Sequence, residues 1–379
     1  MKWDTAKIGD NCEVTSSRRI FYSEYVKSGI PFYRSKEIIQ SFYGQSIDEP
    51  LYISEEKYKQ IAEKYGVPRA GDMLLTSVGT IGVPYLLKET DCFYFKDGNL
   101  TWFRNFSEKL SSRYLYYWIQ SPQGKGVLFN STIGSSQKAL TISMLKEISI
   151  PLPPISVQNR IIDILSAYDD LIENNQKQIK LLEEAAMRLY KEWFVKLRFP
   201  GYESTNIVDG VPDGWLCSKT KDFIRFKYGK ALKADDRKDG KYPVYGSSGI
   251  VGYHNEFLVE APVVIVGRKG NVGSVYISFV NAYPIDTVYY VESNISIYYT
   301  YFNLLTRTFL NNDSAVPGLN RDYAESMEML CPSRYLQNEF DNKVSILFDM
   351  QFKLQHQIDL LKQARDKLIP KLMNGEIEV

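Results

Sequence analysis

The segment Leu152-Pro-Pro-Ile-Ser-Val-Gln-Asn-Arg-Ile161 returns 179 positions later as Cys331-Pro-Ser-Arg-Tyr-Leu-Gln-Asn-Glu-Phe340. The same offset aligns Leu140 with Leu319 and Asp170 with Asp349. Without a gap it also aligns Gln176, Gln178, Ile179, Leu181, Leu182, Ala185 and Leu189 with Gln355, Gln357, Ile358, Leu360, Leu361, Ala364 and Leu368. Fainter matches lie upstream at larger offsets: Trp3 with Trp215, Pro31 and Tyr33 with Pro243 and Tyr245, Gly79 and Gly82 with Gly270 and Gly273. The chain therefore reads as one plan written twice, a globular unit followed by a long helix, with a longer upstream segment in the first copy.

Steps of four and three from Ile161 pick out Ile161, Leu165, Tyr168, Ile172, Asn175, Ile179, Leu182, Ala186, Leu189 and Trp193. The equivalents in the second copy are Phe340, Val344, Leu347, Gln351, Leu354, Ile358, Leu361, Arg365, Leu368 and Leu372. This is heptad spacing, interrupted by Asn175 in one seam and by Gln351 and Arg365 in the other. Pro153-Pro154 and Pro200-Gly201 bound the first helix, and Pro370 predicts a kink near the end of the second. Ordinary surface helices run about 8 to 20 residues. Seams of more than four heptads are expected to pair with each other, not merely to cap their own domains. At about 1.5 Å per residue the first seam is roughly 50 Å long, and parallel pairing would oblige the intervening unit to carry the chain back over that length. Antiparallel pairing removes the demand. The expected fold class is α+β: two small mixed α/β domains separated by two long helices forming an antiparallel coiled coil, pseudo-two-fold. The expected boundaries are 1–152, 153–199, 200–331 and 332–379.

Composition narrows the chemistry. A chain of 379 residues, 44% hydrophobic and 24% charged, can bury real cores in two or three domains. Met1-Lys2-Trp3-Asp4 lacks an apolar signal core, and no stretch approaches the roughly 18 uncharged apolar residues of a membrane span; the expected setting is the cytoplasm, with no membrane partner. Four scattered cysteines (Cys12, Cys92, Cys217 and Cys331), without a C-x-x-C pair, argue against a disulfide framework and a thiolate zinc site and read as packing residues. Two histidines, His254 and His356, leave almost no material for a metal cluster or a Ser-His-Asp triad; no metal site is expected. The net charge of +1 does not announce a nucleic-acid binder, so any DNA contact must rest on local patches or on shared contacts from partners.

Two heads held at a fixed separation suit a long ligand that is itself two-fold, and duplex DNA, with half-sites commonly about 34 Å apart, is the obvious one. The doubled plan, Ile150-Pro-Leu-Pro-Pro-Ile-Ser-Val-Gln158 with its altered copy Cys331-Pro-Ser-Arg-Tyr-Leu-Gln337, and the terminal Leu372-Met-Asn-Gly-Glu-Ile-Glu-Val379 resemble the specificity subunit of type I restriction-modification enzymes over essentially the whole chain. The resemblance implies two target-recognition domains, each reading one half of a split double-stranded DNA target, with the paired helices as a ruler. It implies no catalysis by this chain and no cofactor bound by it. Two methyltransferase subunits and, in the full nuclease, motor-endonuclease subunits would be its partners, bringing AdoMet, ATP and Mg. Ser333 stands where Pro154 stands in the first copy, and Cys331 replaces Leu152.

An amino-methylating enzyme needs Asn or Asp before Pro-Pro and an aromatic after it, to hold the target amino group and stack on the flipped base; Leu152-Pro-Pro-Ile155 offers neither. Gly267-Arg-Lys-Gly270-Asn-Val-Gly273 does not have G-x-G-x-x-G spacing. Glu55-Glu56-Lys57, the nearest thing to a nuclease cluster, sits in an expected amphipathic helix Ser54–Tyr65 with a serine cap and an acidic first turn, ended by Gly66. A coiled-coil adaptor with two protein-binding heads is the alternative from another class.

Within the heads, Asp72–Gly82 and Pro262–Gly273 each read as strand, tight glycine turn, strand. Glycine lets backbone N–H groups approach phosphate, and Arg268, Lys269 and Asn271 offer the fork and amide suited to guanine, phosphate and adenine edges. The first copy offers Ser77 and Thr80 instead, as two unequal half-sites would require. Further candidates are Arg18, Arg19, Arg34, Ser35 and Lys36 in the first head and Lys230, Lys233, Ser247 and Ser248 in the second. The polar runs 134–138 and 311–314 read equally as loops facing a duplex or as connectors. The runs around Tyr114–Trp118 and Tyr298–Phe302 read as core packing of short helices.

Overall fold

The computed structural model describes residues 3–45, 47, 49–132, 138–309 and 318–379. The chain forms two compact units, Met1–Asn175 with His356–Val379, and Gln176–Gln355. Each long helix therefore contributes to both units.

In the first unit a four-stranded antiparallel sheet runs in the order Glu13–Thr15, Leu100–Arg104, Met73–Thr76, Pro84–Leu86. Its central strand Met73–Thr76 is buried throughout. Met73 and Leu75 join Ile8, Val14, Phe103, Tyr114 and Trp118 in one core, while Leu74 packs with Ile38, Phe95 and Trp102 in another. A strand covered on both faces cannot show hydrophobic alternation, which is why Met-Leu-Leu reads as a continuous apolar run. A second sheet orders Tyr25–Val26, Leu51–Ile53, Ile30–Tyr33 and Tyr94–Phe95, the last pair parallel.

The second unit repeats this plan. Ile224–Tyr228, Val288–Ser293, Val263–Gly267 and Val275–Ser278 form the antiparallel sheet in the same order, with Val263–Gly267 again buried from end to end. Val244↔Tyr283 and Tyr245↔Pro284 pair in parallel as Phe32↔Tyr94 and Tyr33↔Phe95 do. A ribbon of Thr5–Lys7 with Ser149–Pro151 has its counterpart in Leu216–Lys219 with Glu328–Cys331. Below the sheets lie the helices Ser112–Gln120 and Ile297–Leu305, whose buried Tyr114, Tyr117, Trp118, Tyr299 and Phe302 are core residues, as expected. The units diverge after Tyr33 and Tyr245, where the first builds the helix Ser35–Phe42 and the second the hairpin strand Gly249–His254.

The repeated Gln explains the opening motif. Gln158 is fully buried; its Oε1 accepts from the Ser111 N–H at 2.9 Å, and its Nε2 donates to the carbonyls of Lys109 at 2.7 Å and Pro153 at 2.8 Å. Gln337 does the same work, accepting from the Ser296 N–H at 2.8 Å and donating to Pro332 O at 2.8 Å. One amide thus closes the proline turn and fixes the start of the short helix, because a buried N–H or C=O must find a partner.

The long helices span Ile155–Tyr190, continued by a π-helical turn Lys191–Val195, and Arg334–Met373, which runs on through Pro370. Within the first unit, Ile161 and Leu165 near the start of one share a core with Ile369, Leu372 and Met373 near the end of the other. Asp169 meets Arg365 at 2.6 Å, and Asn175 Nδ2 donates to Gln357 Oε1 at 3.3 Å. Within the second unit, Tyr190, Trp193 and Phe194 pack on Phe340, with ring centroids 5.0–6.2 Å apart. Within the first unit rising numbers on one helix meet falling numbers on the other, so the pairing there is antiparallel. No seam position in either helix is exposed. Arg365, which breaks the apolar pattern, is explained by Asp169, whose other oxygen accepts from Tyr117 Oη at 2.6 Å.

One expectation is corrected. Cys12 and Cys331 are buried packing residues, but Cys92 and Cys217 are exposed: Cys92 lies in the connection before Tyr94–Phe95, and Cys217 on the two-stranded ribbon of Leu216–Lys219 with Glu328–Cys331. His254 is structural, its Nδ1 accepting from the Lys238 N–H at 3.0 Å, and His356 is exposed. Ser54 caps the helix Glu55–Tyr65 by accepting from the Lys57 N–H, Gly66 ends it at φ 78°, and Glu55 and Glu56 face solvent while Lys57 pairs with Glu24.

Candidate nucleic-acid interface

The two glycine turns share one hydrogen-bond scaffold. The Thr76 N–H donates to Val83 O, the Gly82 N–H to Thr76 O, and the Leu140 N–H to Ser77 O. At an offset of 191 within the turn, and 179 for the leucine, the Gly267 N–H donates to Ser274 O, the Gly273 N–H to Gly267 O, and the Leu319 N–H to Arg268 O. Isolated bridges Val78↔Ala139 and Lys269↔Gly318 complete the match. Gly79, Gly82, Gly270 and Gly273 all have φ of 78–82°, a left-handed conformation that side-chain-bearing residues avoid. Positions 77 and 268, 78 and 269, and 80 and 271 are therefore structurally equivalent, and only their side chains differ.

A short connection gathers the candidates in each unit. In the second unit it is Pro284–Thr287: Lys230 N–H donates to Pro284 O, Ile285 N–H to Tyr245 O, and the N–H groups of Arg268 and Lys269 both donate to Thr287 O. The Ser247 carbonyl accepts from Ser274 Oγ at 2.7 Å and Tyr276 Oη at 3.1 Å, placing the hairpin tip Ser247–Ser248 against the glycine turn. A Cβ on Gly270 would come within 3.0 Å of Ser247 Oγ. Lys269, Asn271, Ser248 and Lys230 are exposed, Arg268 half-buried. Lys233 is exposed as well.

In the first unit the connection is Lys96–Asn99. The Lys96 N–H donates to Tyr33 O and the Ser77 N–H to Asn99 O, matching the Ile285 and Arg268 bonds. Arg19 Nε pairs with Asp97 at 2.9 Å. A groove of about 680 Å³ is lined by Arg19, Arg34, Lys96, Asp97 and Asn99 with Tyr22 and Tyr25. Arg34 is held at its rim by Glu37 at 2.6 Å. Burial alone would raise the Glu37 carboxyl, but the Arg34 guanidinium and backbone N–H groups hold it below the usual carboxylate range. Arg18 is exposed and stacks on Tyr65 at 4.1 Å, while its N–H donates to Tyr94 Oη. Lys36 and Thr80 are exposed.

Ser77 requires correction as a DNA-facing candidate. It is buried, its Oγ shared with Thr101 Oγ1 at 2.6 Å and Leu75 O at 3.2 Å, so its hydroxyl braces the strand pair behind the turn. Ser35 is also turned inward, with its Oγ buried and, among the described residues, without a partner. Residues 134–137 and 311–314, the polar runs singled out above, lie outside the described residues. Lys96 and Asn99 were missed; Asp97 and Asp286, which stand at equivalent places in two short connections, were the available signal.

Among the described residues, no group of three or more His, Cys, Asp or Glu side chains could hold a metal ion, and no helix is long and apolar enough to cross a membrane. Compared with known families, residues 1–184 and 212–330 match the family described as the type I restriction modification DNA specificity domain. The chain belongs to that family. This DNA specificity protein is 29% identical, over its whole length and 94% of the relative, to the type I restriction enzyme MjaIX specificity subunit of Methanocaldococcus jannaschii. It is 22% identical over the same shares to the putative MjaX specificity subunit of that organism. A crystal structure of the type I restriction-modification S subunit from M. genitalium superposes with a TM-score of 0.57 at 18% identity, covering 98% of this chain and 96% of that one, which shows a shared fold. The chain is a DNA sequence-specificity subunit of the type I restriction-modification class, with two copies of the specificity domain.

Proposed function

We propose that each unit of this specificity subunit reads one half of a bipartite double-stranded DNA target, and that the antiparallel helices set the spacing between the halves. The observation that carries this reading is the common turn scaffold with unlike side chains: Val78 and Thr80 in one unit, Lys269 and Asn271 in the other. One scaffold delivers a hydroxyl and a methyl-bearing surface to one half-site and an ammonium and an amide to the other, which differ in the base edges they suit. In the first unit the groove presents Lys96 beside Arg19 and Arg34, each of these two arginines paired with a carboxylate.

The chain has no catalysis of its own in this reading. It works in the cytoplasm with two methyltransferase subunits, joined in the full nuclease by motor-endonuclease subunits. AdoMet, ATP and Mg are bound by those partners, and they also clamp the duplex, which suits a recognition chain with a net charge of only +1. The test is a gel-shift series with the purified chain and its methyltransferase subunits. Salt-sensitive, sequence-selective binding is expected, with selectivity lost at one half-site when Asn271→Ala is introduced. Binding to no duplex in preference to any other would favour a protein-binding adaptor.

A further inference from the structure

We propose that Arg268, Tyr228 and Arg321 form a phosphate clamp in the second unit, gripping the DNA backbone beside the half-site that unit reads; this rests on the DNA-reading function proposed above. Tyr228 ends the edge strand Ile224–Tyr228 with its ring half exposed. The guanidinium of Arg268 lies 4.8 Å from the ring centroid and that of Arg321 lies 5.5 Å from it. Two like charges thus share one exposed aromatic ring, an arrangement that an anion completes.

The donors needed for an anion remain available. Arg268 donates through Nη1 to the Asp286 carbonyl at 3.0 Å, and among the described residues no carboxylate pairs with it. Arg321 meets its neighbour Asp322 through Nε at 3.3 Å, which leaves its terminal nitrogens for another partner. Stacking on a ring fixes the plane of a guanidinium while its N–H groups point outward in that plane, the geometry that matches two oxygens of a phosphate. The exposed Lys269 beside Arg268 adds to the local positive charge.

The clamp belongs to one unit only. Tyr228, Arg268 and Arg321 correspond to Ser16, Ser77 and Ile142 in the first, by the offsets of 212, 191 and 179 that relate the strands, turns and helices. No cation stands at any of those three places. Within the second unit this divides the labour: Arg268 and Arg321 hold the backbone, and Asn271 at the turn's tip reaches the bases.

The full chain assembled with its methyltransferase subunits provides the test, using target duplexes ethylated at single phosphates and titrations over a range of salt. Arg321→Ala and Arg268→Ala should each weaken binding about tenfold on target and non-target duplexes alike. Each should also flatten the log–log salt dependence by about one phosphate contact. Ethylation of one phosphate flanking the second half-site should weaken the parent protein and leave Arg321→Ala unaffected. Tyr228→Phe should behave as the parent and Tyr228→Leu as the arginine variants. Arg321→Lys, which keeps the charge, controls for folding and should retain the salt slope. Altered base preference with an unchanged slope, or undiminished ethylation sensitivity in Arg321→Ala, would overturn the clamp while leaving the DNA-reading function intact. Absence of any sequence selectivity in the parent complex would overturn both.

Discussion

Replacing Gln158 by Leu keeps the volume of the side chain and removes its three hydrogen bonds, to Ser111 N–H, Lys109 O and Pro153 O. A buried donor left without a partner costs about 1–3 kcal/mol, and the two carbonyls together add about 1 kcal/mol because their second lone pairs can find other donors. The expected destabilisation is about 3 kcal/mol, equivalent to roughly a hundredfold loss of amide protection at about 1.4 kcal/mol per decade. Native-state hydrogen exchange, read at the helix Ser112–Gln120 and at the Ser111 amide itself, measures it directly. Gln337→Leu should produce a comparable but smaller loss at Ile297–Leu305, since Gln337 makes two of the three matching bonds in the second unit. A loss smaller than about threefold, or an equal loss in both units from either substitution, would refute the anchoring role assigned to the repeated glutamine.

Gln351→Leu should stabilise the second unit by about 1 kcal/mol in urea unfolding, because the Gln351 Nε2 is buried at a seam position and has no partner among the described residues. Alkylation of the native protein should label Cys92 and Cys217 and spare Cys331 and Cys12, the latter a thiol that burial pushes up to about 12. Rapid labelling of Cys12 at neutral pH would contradict its placement in the first core. Glu37 has a folded carboxyl held below its unfolded range, so its stabilising contribution is complete above the unfolded value near 4.5 and is lost as pH falls through the folded one. Acid titration of stability should therefore be shallower below pH 4.5 in Glu37→Gln than in the parent.

The organisation of this chain was legible because it was written twice. The seam from Ile161 to Trp193 and its copy from Phe340 to Leu372 depend on local periodicity, and every seam position proved to be covered. Antiparallel direction followed from chain length and connectivity alone. What stayed hidden depends on contacts distant in sequence. Ser77 looked like an exposed turn residue, yet Thr101, brought alongside by sheet pairing, takes its hydroxyl inward. Arg365 looked like a fault in the seam until Asp169 and Tyr117 were placed against it. Cys92 and Cys217 could not be distinguished from Cys12 and Cys331 by composition, since burial is decided by what lies above each strand. Lys96, Asn99, Tyr228 and Arg321 carry no motif; short connections, an edge strand and the start of the helix Arg321–Ser326 bring them near the glycine turns.

The proposed function has the paired helices set the distance between two independent readers. Its most direct measurement is the recognition sequence of a variant with seven helical residues inserted after Asn175 and seven after Gln355, where each helix passes between the compact units. The insertion lengthens each helix by about 10 Å, or roughly three base pairs of duplex. Mapping the methylated sites should yield the same two half-site sequences with a longer gap between them. Changed half-site bases at an unchanged gap would contradict the claim.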